Sequence, residues 1–459
     1  MTTPYTILHL GLGSFHRAHE AWYLQRLHDS GDRSWRLVAG NLRNDQPELM
    51  AALEAQHGVY TLELASPAGA MQYQRISAIA QVIRWTPDLA GLIAAAADPA
   101  TRIISFTVTE AGYFLDPALR LDTAHPDVAA DLHGGFNTIY GALTAMLRAR
   151  RAAQAGGLTL LCCDNVRGNG ERFHLGLAGF LTALGDTDLL AWIDTHTRCP
   201  NAMVDRITPR PLPAVRARVQ AALGIDDPCA LMGETFAQWV VEEHFAAGRP
   251  DWERVGVEMV DSVVPYEEAK IRILNAQHSC IAWAGALRGY TWIHEGTLDA
   301  QIRGWSHDYV THDVIPCLTP SPVDLAAYRD TVLERFSNAW IQDTNQRVAA
   351  DGFAKIPSFI APTLHEQHAA GRTLFHTARL PALFLLFLQA RAQGRIPFDY
   401  QDQAMNEALV TEILGAADPV ARLAAETSLF GALAGQAVLA QALRAAYDDV
   451  RHAYPESAQ

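Results

Sequence analysis

Lys270, Asn275 and His278 lie within one short stretch, YEEAKIRILNAQHSCIAW (266–283), and Glu267 stands three residues before the lysine. An amine held beside an imidazole, an amide and a carboxylate has the makings of a general base with its partners. The stretch contains no Gly or Pro, apolar residues recur at Ile271, Ile273, Leu274, Ile281 and Trp283, and Pro265 precedes it. This pattern predicts one helix. At ~100° per residue, Lys270, His278 and Glu267 share an arc of roughly 80°, with Asn275 about 140° from Lys270 at the edge of that face. Asn is a poor helix-interior residue unless its amide has something to bind. A polar arc flanked by apolar residues on both sides fits a site better than the alternative, an amphipathic helix whose polar residues face water.

A second set of residues opens the chain. The apolar run Tyr5–Leu10 leads into GLGSFHRAHEAWYLQRL, which reads as a strand, a glycine turn and a helix. Gly11 and Gly13 occupy the first two positions of the GxGxxG dinucleotide fingerprint, where the chain turns tightly and lets a pyrophosphate approach the backbone. His16 takes the third position and departs from the pattern. After a second strand, Trp35–Ala39, comes GNLRND, where Asp45 could accept hydrogen bonds from an adenosine ribose and Arg43 leaves room for a 2′-phosphate. That acid stands further along than the usual ~20 residues after the glycines.

The elements that must hold these residues alternate in type. Strand-like runs at Tyr60–Leu64, Ala78–Arg84, Ile103–Val108 and Leu158–Cys163 are separated by helical patterns such as Pro87–Ala97 and Phe136–Ala153. This alternation predicts a doubly wound α/β Rossmann-like domain. Ligands of such sheets gather at the carboxyl ends of strands, which places Thr109, Glu110 and Asn165 where a nicotinamide or substrate could sit; turn chemistry alone would also explain them. Asp205 lies in MVDRITPRP, which reads from Met203 as another short strand with prolines behind it. After residue 262 helical periodicity takes over, so the expected division is 1–262 for the cofactor domain and 263–459 for a mostly α-helical domain beginning with the lysine helix.

Composition narrows the partners. A formal net charge of -14 disfavours nucleic acid and anionic membrane surfaces and leaves a small-molecule substrate. The six cysteines form no CxxC pair or regular framework and read as reduced thiols of a cytoplasmic protein. The N-terminus makes a poor signal peptide, and the run Ala382–Leu388 is too short to span a bilayer and reads as a core helix. No GxSxG elbow is present. LHEQH (364–368) falls one residue short of HExxH, so neither a serine nucleophile nor a metal is expected. Oligomeric state is open: no exposed heptad or edge-strand signal stands out, and a monomer is possible.

Five motifs in order, GLGSFHRAH (11–19), FTVTEAGY (106–113), CCDNVRGNG (162–170), MVDRITP (203–209) and KIRILNAQH (270–278), resemble those of the polyol-specific long-chain dehydrogenases across almost the whole chain. One departure is Ala339 in RFSNAW, where that family commonly has Pro. The resemblance implies a metal-independent, NAD-dependent oxidation of a polyol's secondary hydroxyl, with Gly11, Gly13, Ser14, Phe15, Asp45, Thr109 and Glu110 toward the cofactor. It implies Lys270 as general base, Asn165 and Asn275 as the amides on the substrate oxygen, and His278 as an orienting imidazole. Glu267 is then a carboxylate for proton exchange, and Asp205, Arg347 and Lys355 are polyol contacts. Burial and a cationic nicotinamide would depress the lysine's pKa toward neutrality. The wording stands nearest the branch acting on D-arabinitol. Mannitol oxidation, then hexuronate reduction, are the alternatives within the family, and a nucleotide sensor without turnover is the alternative outside it.

Overall fold

The computed structural model describes residues 3–116 and 118–454. The chain divides into two compact units, one of Met1–Ala65 and Met71–Val264, the other of Ser66–Ala70 and Pro265–Gln459.

In the first unit, β1 (Tyr5–Leu10), β2 (Trp35–Gly40), β5 (Ile79–Ile83), β6 (Thr101–Phe106), β7 (Leu158–Cys162) and β8 (Thr197–Arg198) form a parallel sheet of order β5-β2-β1-β6-β7-β8. Both faces are covered, which is why these strands read as apolar runs: Ile7, Leu37 and Ile103 pack into one core, Leu8, Val38 and Ile104 into the other. From β1 the chain moves outward on one side to β2 and β5, then returns to the other side as β6. The order reverses at β1, and the carboxyl ends of β1, β2 and β6 frame the crevice where such sheets bind ligands.

The expected strand at Tyr60–Leu64 belongs elsewhere. As β3 (Tyr60–Ala65) it pairs antiparallel with β4 (Met71–Ile76) and parallel with β10 (Leu231–Glu234). The turn SPAGA leaves only five residues between β3 and β4, enough for a hairpin and too few for the crossover that a parallel neighbour needs. A third sheet joins β9 (Ala202–Asp205) antiparallel to β11 (Gln238–Glu242), which lies parallel to β12 (Glu258–Val260).

The second unit is mostly helical. Its longest helix, Phe375–Ala392, is buried through the apolar run Ala382–Leu388, and among the described residues no helix is long and apolar enough to cross a membrane. Three of its helices contain a π-turn: Lys270–Asn275, Val310–Val314 and Ile356–Ile360. The first packs against the other two. All six cysteines are free thiols.

Candidate active site

In the first unit a cleft of about 510 Å³ opens at the carboxyl ends of β1, β2 and β6. Gly11, Gly13, Ser14, Phe15, Asp45 and Thr109 line it, as do Asn41, Arg43 and Thr107. Gly11 has φ +107°, a conformation that L side chains rarely adopt, so the first glycine is required by the turn itself. The loop's own amides are partly committed: Gly11 N donates to Gly40 O (3.0 Å), Gly13 N to Gly11 O (2.7 Å) and Leu12 N to Asn41 Oδ1 (2.7 Å). The next helix opens at Ser14, and its first bond runs from Arg17 N to Gly13 O, so the Ser14 and Phe15 amides precede the intrahelical ladder. A tight glycine turn and early helix amides beside a carboxylate suit a dinucleotide's pyrophosphate and ribose. Glu110 starts a short 3-10 turn, exposed and outside the cleft lining.

His16, the departure from the glycine fingerprint, lies flat on His9 with ring centroids 3.4 Å apart. Glu20 Oε2 is 3.0 Å from His16 Nδ1 and 3.1 Å from His9 Nδ1, and it accepts from Ser105 Oγ at 2.8 Å. His9 Nε2 donates to the carbonyl of Gly11 (2.9 Å). These three side chains are at most 2% exposed. Burial drives His16 down to about 4, while the histidines hold the Glu20 carboxyl well below its ordinary range. The hydrogen bonds of the cluster run to Ser105 and the Gly11 carbonyl, so it reads as a buried post under the glycine turn.

Asn165 follows β7 and is exposed. The structure fixes its neighbours firmly. Asp164, pushed up to about 6 by burial, accepts from Tyr113 Oη at 2.6 Å. Asn169 is fully buried; its amide donates to Ala202 O (2.8 Å) and its oxygen accepts from Ala202 N (3.0 Å), while the same amide reaches Asp164 O (3.3 Å). The exit of β7, which carries Asn165, is thereby tied to β9, which ends at the buried Asp205.

In the second unit the expected single helix is α over Val264–Ala269, π over Lys270–Asn275 and α again over Ala276–Leu287. Ala276 N bonds back to Ile271 O, five residues away. The extra residue in this turn corrects the expected position of Asn275. In an i→i+5 pattern, residues five apart lie roughly one turn apart. Asn275 thus moves from the edge of the polar face onto the side of Lys270. Lys270 and Glu267 are each 6% exposed, and His278 and Asn275 are half-buried.

Around His278 stands a second group. Its ring stacks on Phe336 (4.3 Å between centroids), and Nε2 is 3.4 Å from Asp343 Oδ2. Burial lowers the imidazole's pKa against the pull of Asp343. Arg347 donates to both oxygens of Asp343, with Nε to Oδ1 at 2.6 Å. The Lys355 ammonium donates to Val348 O at 2.6 Å, and burial brings its pKa down to about 8. Asp343 was missed from sequence; it stands just ahead of Thr344, the N-cap of the helix Asn345–Ala349, where no periodic pattern marks it. Asn41 was also missed; it stands immediately after β2, where ligand contacts gather.

A parallel sheet with a glycine turn at its ligand-binding end and, in the second unit, a buried lysine on one helix with an amide and an imidazole fit a dehydrogenase. Residues 5–254 match the mannitol dehydrogenase Rossmann domain and residues 262–451 the mannitol dehydrogenase C-terminal domain, and the chain belongs to the mannitol dehydrogenase family. It is 58% identical to a D-arabinitol 4-dehydrogenase of Ralstonia nicotianae over 96% of this chain and 95% of that one. It is 54% identical to one from Klebsiella pneumoniae over 95% and 96%. Among solved structures, a Pseudomonas fluorescens mannitol 2-dehydrogenase in ternary complex with NAD and D-mannitol aligns with TM-score 0.84 at 33% identity, covering 99% of this chain and 93% of that one.

Proposed function

We propose that this dehydrogenase oxidises D-arabinitol to D-xylulose with NAD and without a metal. The observation that carries the reading is near-full-length identity to two proteins named D-arabinitol 4-dehydrogenase. NAD would be held by Gly11, Gly13, Ser14, Phe15, Asp45 and Thr109, with Glu110 just outside the cleft.

Oxidation breaks one C–H and one O–H bond of the alcohol; bound NAD would supply the acceptor for the hydride, and the proton goes to Lys270. Burial supports that role, because it keeps bulk water from competing for the substrate's proton. The amides of Asn165 and Asn275 donate to the oxygen as it gains charge, supplying the electrostatic stabilisation that a metal supplies elsewhere. His278 orients the same hydroxyl, and Glu267 returns the proton to solvent. Asp205, Arg347 and Lys355 hold the remaining hydroxyls. Arg347 is already paired in bidentate fashion with Asp343, which supports a neutral polyol over a hexuronate carboxylate.

The test is formation of NADH with D-arabinitol, D-mannitol and D-sorbitol, with the ketose product identified. D-Arabinitol is expected to give the highest kcat/KM and D-xylulose as product; a higher value with D-mannitol, or reduction of fructuronate by NADH as the fastest reaction, overturns the substrate assignment. Lys270→Ala is expected to lose roughly 10²–10⁴-fold in kcat while still binding NAD, and near-normal turnover would remove the lysine from its role.

A further inference from the structure

The π-turn at Lys270–Asn275 raises a problem of backbone accounting. Ala276 N donates to Ile271 O, five residues back, and also approaches Ile273 O. Where the α pattern resumes over Ala276–Leu287, the i−4 rule assigns Ile273 O to the next amide, Gln277 N. The ladder therefore steps over the carbonyl of Arg272. A buried carbonyl without a donor is costly, and an α-helical register would supply one at once.

Another side chain supplies the donor. Tyr309 is fully buried at the end of the helix Ala300–Tyr309, and its Oη donates to Arg272 O at 2.9 Å. The π-turn at Val310–Val314 begins at the following residue. Arg272 is held at its other end as well. Its guanidinium donates to both oxygens of Glu366 at 2.7 Å each and to Glu268 at 2.7 Å. A hydroxyl fixed on the skipped carbonyl removes the incentive to unwind the extra residue.

We propose that Tyr309 is a positioning residue for the reaction: its hydroxyl holds the π-turn that brings Asn275 onto the side of Lys270. It reaches neither substrate nor cofactor in this role and acts through those two side chains. The inference rests on the functional reading of Lys270 and Asn275 given above.

Tyr309→Phe keeps the ring and removes the donor. Expected are a fall in kcat of about tenfold with KM for polyol and affinity for NAD each within roughly twofold, and a larger isotope effect on kcat when the carbinol carbon carries deuterium, because the chemical step is what slows. Amide exchange in a peptide covering 266–280 should quicken, a readout independent of turnover. In an Asn275→Ala background the further loss from Tyr309→Phe should shrink to within about twofold, since the residue it positions is gone. Unchanged kcat and unchanged exchange in Tyr309→Phe overturn the proposal, as does a loss that multiplies in full with that of Asn275→Ala. Failure of the wild-type chain to oxidise any polyol would instead fault the functional reading and leave the exchange measurement to decide whether Tyr309 holds the turn.

Discussion

Two of the clusters in which histidine meets a carboxylate, one in each unit, differ in what surrounds them. His9, His16 and Glu20 are sealed beneath the glycine turn, none more than 2% exposed, and each polar contact ends on another part of the same unit. His278, Asp343 and Arg347 keep a way out: the Asp343 side chain is 12% exposed and that of Arg347 63%. The chemistry of the groups is nearly the same. A sealed cluster can only hold backbone in place, whereas an open one can exchange its partners for a ligand's hydroxyls.

The largest separation between the two should come from Glu20→Gln. Removing that charge leaves His9 and Ser105 facing an amide in a buried site, and losing hydrogen bonds to a buried carboxylate costs about 1.5–3 kcal/mol. Denaturant unfolding is the measurement. A loss below about 1 kcal/mol would show that the sealed cluster is no structural post.

Asp343→Asn should do the reverse. Global stability is expected to change by less than about 1 kcal/mol, because Arg347 stays solvated and half the pairing survives. KM for polyol should rise about tenfold, as His278 loses the carboxylate that orients it, with NAD affinity unchanged. Equal damage to stability and KM would erase the distinction between the clusters.

The same contrast explains what could be read from sequence. The glycine turn was legible because Gly11 and Gly13 follow an apolar run, and both signals are local. The stacking of His16 on His9 was not, since it depends on β1 and the following helix meeting in space. On the lysine helix, the period of 3.6 residues brought Lys270, Glu267 and His278 together but left Asn275 at the edge. A π-turn draws on the same residues as an α-helix, and it is specified by Tyr309, 37 residues further along the chain. The short strands β10, β11 and β12 carry three to five residues each, too few for a period to register.

The smallest expected effect concerns Lys355, beside the open cluster. Its folded pKa is about 8 against an ordinary 10.5, lowered chiefly by burial. Between those values the unfolded chain keeps a proton that the folded chain has released, so stability rises with pH across that window. Below pH 8 both states are protonated and the folded chain carries the whole cost of a buried cation. Lys355→Met should therefore stabilise the protein near pH 7, by about 1 kcal/mol once partial exposure is allowed for, with the difference fading to nothing above pH 10.5. The sealed cluster bends the curve on the opposite side. His16, at about 4 when folded and 6.5 when free, makes stability fall as pH drops between those values. Thermal unfolding of the wild type and Lys355→Met from pH 5 to 11 separates the two. If the variant gains nothing at pH 7, Lys355 is already compensated by its bond to Val348 and its neighbours, and the cluster is less strained than its burial implies.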